Sequence, residues 1–332
     1  MNNESVVISN RIRLARNLSN MPFPSKLDDT LAKRVEERVT SSIKESNSYI
    51  SKDFELIKIN EIKAYDRLSL VEKHLISKEL LNSNKGAALI NRDETVSIMI
   101  NEEDHIRLQV INKGFDIEKS FDLANKIDDL IEESLTYAYD PQYGYLTSCP
   151  SNIGTGLRAS MMLHLPALSK NGLIQKLSNS IGSFGMTIRG LYGEGSEGFG
   201  NMYQVSNQVS LGVSEKDIIE AITNVTNKII KDEIKARQAL ISKGKVEFED
   251  SIFRSLGILK YGKLFSAIDA LNLLSNVRCG VEMGIINDIE LKDINNAIET
   301  IQSGNIQRIS SKEMTPRERD IERGKILNKL FK

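Results

Sequence analysis

The 332-residue chain has two cysteines, Cys149 and Cys279, and three histidines, with no CxxC or HExxH pattern. Neither a disulfide framework nor a zinc site is expected from so few ligands. Net charge is also missing, since 44 Lys and Arg face 45 Asp and Glu for a formal charge of −1. That balance provides no overall attraction to nucleic acid or to an anionic membrane, so any anion site has to be local. No apolar run approaches the roughly 18 residues of a membrane span, and "MNNESVVISNRIR" lacks the apolar core of a signal peptide. The expectation is a cytoplasmic protein with no direct nucleic-acid or membrane partner. A P-loop is absent too, because GxxxxGK followed by Ser or Thr occurs nowhere.

What remains is an ordinary globular composition, 40% hydrophobic and 27% charged, with room for one large domain or two modest ones. In "LDDTLAKRVEERVTSSIKES", Leu27, Leu31, Val35, Val39 and Ile43 recur at four-residue spacing and predict an amphipathic helix. "AALINR", "VSIMIN" and "IRLQVI" predict three consecutive strands in a meander, and "DIEKSFDLANKIDDLIEESLTYAY" returns to helical periodicity. "RASMMLHL" and "MTIRGLY" read as strands with one helix of about 14 residues between them. Adjacent strands with interspersed helices predict an α+β fold, an antiparallel sheet flanked by helices. After residue 213 the pattern turns almost wholly helical, opening with Ser214 as N-cap and Asp217 three residues on. Gly257, Gly262, Gly280 and Gly304 are the expected helix breaks. A soft boundary near residue 230 separates domains 1–230 and 231–332.

"SNRIRLARN" places Arg11 and Arg13 two apart, on one face if the segment is a strand. Arg107, Arg158 and Arg189 also sit beside strand-like segments. Taken singly, each reads as an edge-strand residue with a surface ion pair. As a set, five planar guanidinium forks suit phosphate. Two dinucleotide-loop lookalikes fail: "GTGLRA" runs into a strand instead of opening a helix, and "GEGSEG" carries Glu194 and Glu197, which repel an anion. Glu194 in its glycine loop points to a site for a cation. "NEEDH" supplies Glu102, Glu103 and Asp104, as part of that site or as a solvated hairpin turn. Cys149 is by default a small buried hydrophobe, yet its place before Pro150 and a glycine loop sets it near a site.

One scheme joins these parts. The arginines neutralise a triphosphate while two glutamates hold a guanidinium in line with the terminal phosphorus. A guanidinium has a pKa above about 12 and no available lone pair. Freeing one nitrogen beforehand costs roughly 7–9 kcal/mol at about 1.4 kcal/mol per unit. A carboxylate must therefore accept the proton as the N–P bond forms.

"SNRIRLARN", "NEEDHIRLQ", "CPSNIGTGLRAS" and "RGLYGEGSEGFGNMYQVSNQ" resemble the catalytic-domain signatures of the phosphagen (guanidino) kinases, over most of residues 5–235. The resemblance implies a glutamine-synthetase-like sheet flanked by helices. It also implies ATP with Mg2+, the metal held by the phosphates and not by protein ligands. Carried over by motif, Arg11, Arg13, Arg107, Arg158 and Arg189 form the phosphate clamp. Val6, Val7, Ile8, Ser9 and Asn10, then Ala159, Ser160, Met161 and Met162, then Gly190, Leu191, Tyr192 and Gly193 form the nucleotide-site walls. His74 matches a nucleotide-side histidine, or is a helix-surface imidazole. Glu103 matches the catalytic carboxylate, Glu194 the loop glutamate on the guanidinium, and Cys149 the cysteine beside it.

Two departures bear on the acceptor. Family members acting on free guanidino compounds carry a helical domain before the first arginine motif, which here begins at residue 9, so no such lid is expected. They usually carry a further arginine where this chain has Tyr192. Both favour an arginine side chain on a protein over a free guanidino compound such as arginine, the alternative acceptor. In the tail, Arg319, Asp320 and Arg323 resemble an RDxxRA motif for allosteric phosphoarginine binding, with Gly324 at its last position, or form a solvated helix end. The resemblance further implies protein substrates with exposed arginine and stress-linked marking for a Clp ATPase/protease. It implies an activator protein, McsA, and a homodimer or larger homo-oligomer built through the C-terminal helices. A catalytically dead phosphoarginine adaptor is the rival of another class, and intact Glu103, Glu194 and five arginines argue against it.

Overall fold

The structure, a computed structural model, describes residues 3–46, 48–191 and 198–332. Strand β1 (Val7–Arg16) alternates buried and half-buried side chains from Asn10 to Leu14, the period of two that a strand imposes. Helix α1 (Asp29–Lys44) starts where Asp28 accepts from Leu31 N, and it buries Ala32, Val35, Val39 and Ile43. Next come β2 (Phe54–Lys58), α2 (Ala64–Glu72) and α3 (Lys78–Leu81). The expected meander follows as β3 (Ala87–Asn91), β4 (Val96–Ile100) and β5 (Ile106–Lys113), with antiparallel ladders throughout. All five residues of β4 are buried, so both of its faces are covered. Helix α4 (Ile117–Glu132), capped by Asp116, leads to a short hairpin, β6 (Tyr139–Asp140) and β7 (Gly144–Tyr145).

Strand β8 (Leu157–His164) follows the glycine loop directly. The single helix expected next is two, α5 (Pro166–Lys170) and α6 (Ile174–Gly182). Gly172 at φ +66° falls between them, a backbone conformation that ends a helix. Strands β9 (Met186–Gly190) and β10 (Met202–Asn207) complete the sheet strands. Helix α7 (Glu215–Lys243) opens with the expected reciprocal bonds: Asp217 N donates to Ser214 Oγ at 3.1 Å and Ser214 N to Asp217 Oδ2 at 3.2 Å. The tail is α8 (Lys245–Tyr261), α9 (Ala267–Glu282), α10 (Leu291–Thr300), α11 (Ser303–Ile309) and α12 (Pro316–Leu330).

Only Gly262 of the four expected glycine breaks ends a helix. Gly257, Gly280 and Gly304 lie inside α8, α9 and α11. At Gly280 a Cβ would stand 2.6 Å from Ile252 Cγ2, so the residue lets α8 and α9 approach closely. Packing outweighs the roughly 1 kcal/mol that glycine costs in a helix interior.

The chain divides by packing into two compact units that do not follow chain order. A sheet unit comprises Ser9–Ser160 and Ser206–Thr223. Its strands run in the order β2-β3-β4-β5-β1-β8, with α1 and α4 packed on them. Leu70, Leu75, Ile76 and Leu80 of the α2–α3 region cluster with Ala88, Ile90 and Met99. A helical unit comprises Met1–Ile8, Met161–Val205 and Asn224–Lys332, with strand order β8-β10-β9. Its core joins Met202 to Phe248, Ile252, Leu259, Phe265, Leu274, Ile294 and Leu327. Among the described residues, no helix is long and apolar enough to cross a membrane.

Candidate active site

Strand register assembles the arginines of the sheet unit. In the antiparallel β1–β5 ladder Arg13 faces Gln109 and Ala15 faces Arg107, with Arg11 opposite Ile111. Directly opposed residues project to the same face, so Arg11, Arg13, Arg107 and Gln109 share one side of the sheet. Arg158 on β8 donates to Ser206 Oγ at 3.2 Å. These side chains repel one another. Arg11 is lowered to about 10, first by burial and then by Arg107 and Arg158. Arg13 is pushed well below its ordinary value by burial and by Arg11, Arg107 and Arg158, with Glu102 working the other way. The buried Nε of Arg13 has no hydrogen-bond partner among the described residues. Such a concentration of cations favours an anion, and its forks suit polyphosphate.

His74 lies beyond the end of α2, in a left-handed turn at φ +61°, and so is not a helix-surface residue. Gln109 Nε2 donates to the carbonyls of His74 and Leu75 at 2.6 and 2.9 Å, which fixes that turn over the arginine face. Burial, then Arg11 and Arg13, lower the imidazole to about 3, so it is neutral at pH 7.

The acidic turn between β4 and β5 divides its labour. Glu102 pairs with Arg107 at 2.6 Å, and Arg107, Ser77 and Glu103 N hold its pKa down against the burial that raises it. Asp104 is buried and accepts from Asn17 Nδ2 at 2.6 Å and from Ser148 N at 2.7 Å. Glu103 is left exposed, its pKa raised by partial desolvation and then by Asp104 and Glu102. A carboxylate with raised proton affinity beside a cationic cluster is placed to accept a proton. Asp104 also ties this turn to the Cys149 segment, where Cys149 Sγ lies 3.1 Å from Ser151 Oγ.

Arg16 has a different task. It is buried against Asp128 at 2.7 Å, donates to Thr155 O at 2.9 Å and lies 3.6 Å over the Tyr145 ring. A Cβ on Gly156 would stand 2.6 Å from both Ala15 O and Arg16 Nη1. The glycines of "GTG" therefore admit protein backbone and the Arg16 side chain.

Strand alternation sorts the other expected nucleotide-site residues. In the sheet unit Asn10, Ala159 and Ser160 are buried while Ser9 is half-buried; Ser160 Oγ donates to Arg11 O at 3.3 Å. In the helical unit Val6, Val7 and Met161 are buried, Ile8, Met162, Gly190 and Leu191 half-buried, and Arg189 exposed at the end of β9. Tyr192, Gly193 and Glu194 lie outside the described residues. In the tail, Arg319 Nη1 donates to Met314 O at 2.7 Å. Arg323 is 1% exposed and already holds Ile301 O, Phe265 O and Asp320 Oδ1 at 2.8, 2.6 and 2.6 Å. Gly324 lets α12 approach the Lys263 carbonyl, which a Cβ would meet at 2.6 Å. Among the described residues, no group of three His, Cys, Asp or Glu could hold a metal ion.

Residues 34–236 match the family model described as ATP:guanido phosphotransferase, C-terminal catalytic domain. Residues 245–332 match that described as protein-arginine kinase McsB C-terminal domain. The protein-arginine kinase of Clostridium acetobutylicum is 46% identical over 324 residues, covering 97% of this chain and 95% of the relative. That of Clostridium novyi is 48% identical over 334 residues, covering 99% and 96%. Among solved structures, lombricine kinase matches with TM-score 0.61 at 25% identity, over 71% of this chain and 67% of that one. The duplicated taurocyamine kinase of Schistosoma mansoni, with bound transition-state analogue components, matches with TM-score 0.62 at 24% identity. That match covers 69% of this chain and 33% of the other, a likeness of fold alone.

Proposed function

The chain belongs to the ATP:guanido phosphotransferase family, and on that premise we propose that it transfers the γ-phosphoryl group of ATP to the guanidinium of arginine side chains in proteins. The acceptor follows the names of relatives that match nearly the whole chain. The observation that carries the site is Arg11, Arg13 and Arg107 on one sheet face, with Arg158 acting on the first two and an exposed Glu103 of raised proton affinity.

In this reading the four arginines, with Arg189, bind and orient the phosphates, and Mg2+ accompanies ATP, held mainly by the phosphate oxygens. Neutral His74 lies on the nucleotide side. Glu102 keeps Arg107 in place. Glu103 accepts the acceptor nitrogen's proton as the N–P bond forms and the bond from the γ-phosphorus to the bridging oxygen breaks, releasing ADP. Glu194 and Cys149 orient the acceptor guanidinium. Further proposals rest on the resemblance of the tail and on the C-terminal family model. Residues 231–332 form a helical domain for self-association and phosphoarginine sensing through Arg319, Asp320 and Arg323. The modified proteins are marked in the cytoplasm under stress for a Clp ATPase/protease, with an activator protein.

Incubation with ATP and either casein or free arginine tests the acceptor. Acid-labile protein phosphate is expected, and turnover of free arginine alone would move the assignment to a small-molecule kinase. Glu103→Ala should reduce protein phosphorylation by about 10²–10⁴-fold while ATP still binds. Full activity in that variant would remove Glu103 from its role.

A further inference from the structure

The sheet unit leaves apolar side chains exposed along three joined stretches. Tyr139 is 59% exposed and Tyr143 49% exposed on the β6–β7 hairpin. Val209, Leu211 and Val213 are exposed on the segment after β10. Between them lies the Ser151–Thr155 loop. Tyr145 N donates to Gly154 O at 2.8 Å, and Thr155 N donates to Ser210 O at 3.1 Å. Ser210 Oγ donates to Ser151 O and Ile153 O, both at 2.8 Å. A Cβ on Gly144 would stand 2.5 Å from Gly154 O, and one on Gly154 2.2 Å from Ser210 O. Backbone contacts this close fix the three stretches as one platform.

That platform is fastened to the carboxylate turn. Asn17 Nδ2 donates both to Asp104 Oδ1 and to Leu146 O, at 2.6 and 3.1 Å. Acidic side chains gather beside it, with Asp140 on the hairpin itself. Arg16 and then Asp128, Glu132 and Glu215 act on Tyr145, and Arg16, Asp128 and Asp129 act on Glu215. Asp128 is paired with Arg16, whereas Asp129, Glu132 and Glu215 make no ion pair among the described residues. Exposed tyrosines attract cations to their faces, and the stems of long cationic side chains lie well over Val and Leu. A nucleic acid would be repelled.

We infer that the β6–β7 hairpin and the 209–213 segment form a docking platform for an extended, Lys- and Arg-rich polypeptide, holding the residues that flank the arginine presented to Glu103. The inference rests on the role proposed above for Glu103. Asn17 joins the hairpin to the carboxylate turn, so the platform reads positions that flank the target arginine.

Two peptides test this, each with one arginine and with either lysines or serines at those flanking positions. The wild-type protein should show a KM about tenfold lower for the lysine-flanked peptide, a preference that weakens with salt. Tyr139→Ala/Tyr143→Ala should erase the preference without moving KM for ATP, Tyr139→Phe/Tyr143→Phe should keep it, and Leu211→Ser should reduce it. A fluorescent lysine peptide without arginine should bind the wild type and lose about tenfold in affinity to the double alanine variant. An unchanged preference, or equal binding of the lysine peptide, in a double variant that still gains thermal stability from ATP would overturn the inference. Failure of the proposed function has another signature: no phosphorylation of either peptide, with tyrosine-dependent binding of the lysine peptide intact.

Discussion

Each unit gathers a cluster of arginines, half-buried in the sheet unit and buried in the helical one, and the two are built on opposite charge rules. In the sheet unit Arg11, Arg13 and Arg107 share one face, and together with Arg158 they place like charges that lower the proton affinity of Arg11 and Arg13. In the helical unit Arg237 pairs with Glu233 at 2.7 Å and with Glu282 at 2.6 Å, and Arg278 pairs with Glu282. Burial works against the Arg237 charge, yet Glu282 and the neighbouring anions more than offset it and raise its pKa. The second cluster also fills its remaining donors and acceptors. Glu233 accepts from the amides of Ala167 and Leu168 at the start of α5, and Arg278 Nη2 donates to Ser5 O at 2.9 Å. His164 joins Ser275 and Glu282. A compensated cluster holds elements together, whereas one with excess positive charge stores affinity for a polyanion.

Breaking the compensated cluster should have the largest effect. Glu282→Gln removes the carboxylate shared by Arg237, Arg278 and His164, and should destabilise the protein by about 3–5 kcal/mol. Thermal unfolding monitored by circular dichroism reads that loss. An unchanged midpoint would mean that the network carries no stability.

Arg13→Met sharpens the contrast from the other side. Because Arg13 is half-buried among like charges, its loss should leave stability unchanged or raise it by about 1 kcal/mol. The same variant should forfeit the stabilisation of about 2.7 kcal/mol expected from ATP at a hundred times its Kd. Thermal shift with and without ATP measures both. A large destabilisation without ATP would show Arg13 to be structural.

A smaller difference appears with pH. His164 is lowered to about 4, first by burial, with Glu282 opposing and Arg278 and Arg237 adding to the shift. A folded pKa below the unfolded value of about 6.5 means that stability is fully present above that value and falls as pH drops towards 4. Glu282, lowered to about 2, extends the loss below the usual carboxylate range. His164→Asn should flatten the upper part of this fall in a plot of unfolding midpoint against pH. A slope identical to the wild type would assign the fall to other groups.

Legibility from sequence followed the range of the interactions. The meander β3–β4–β5, helix α1 and the Ser214–Asp217 start of α7 are local patterns and appear as expected. The two-residue spacing of Arg11 and Arg13 likewise gave their common face. Glycine was harder to read, because Gly280 and Gly324 answer to neighbours distant in sequence. The composition of "NEEDH" does not say which acid is free, and only the family resemblance pointed to Glu103. Glu102 is occupied by Arg107 and Asp104 by Asn17 and Ser148, leaving Glu103 exposed. Arg16 looks like its neighbours in "RIRLAR", and only Asp128, 112 residues away, identifies it as structural.

Periodicity and motif order, which depend on residues a few positions apart, were enough to determine the α+β class and the family. Which charged side chains are paired and which are crowded by like charge was decided by tertiary structure. A guanidinium's effect depends on whether the fold brings a carboxylate or another cation to it, and Coulomb interactions act over distances in space that sequence order does not record.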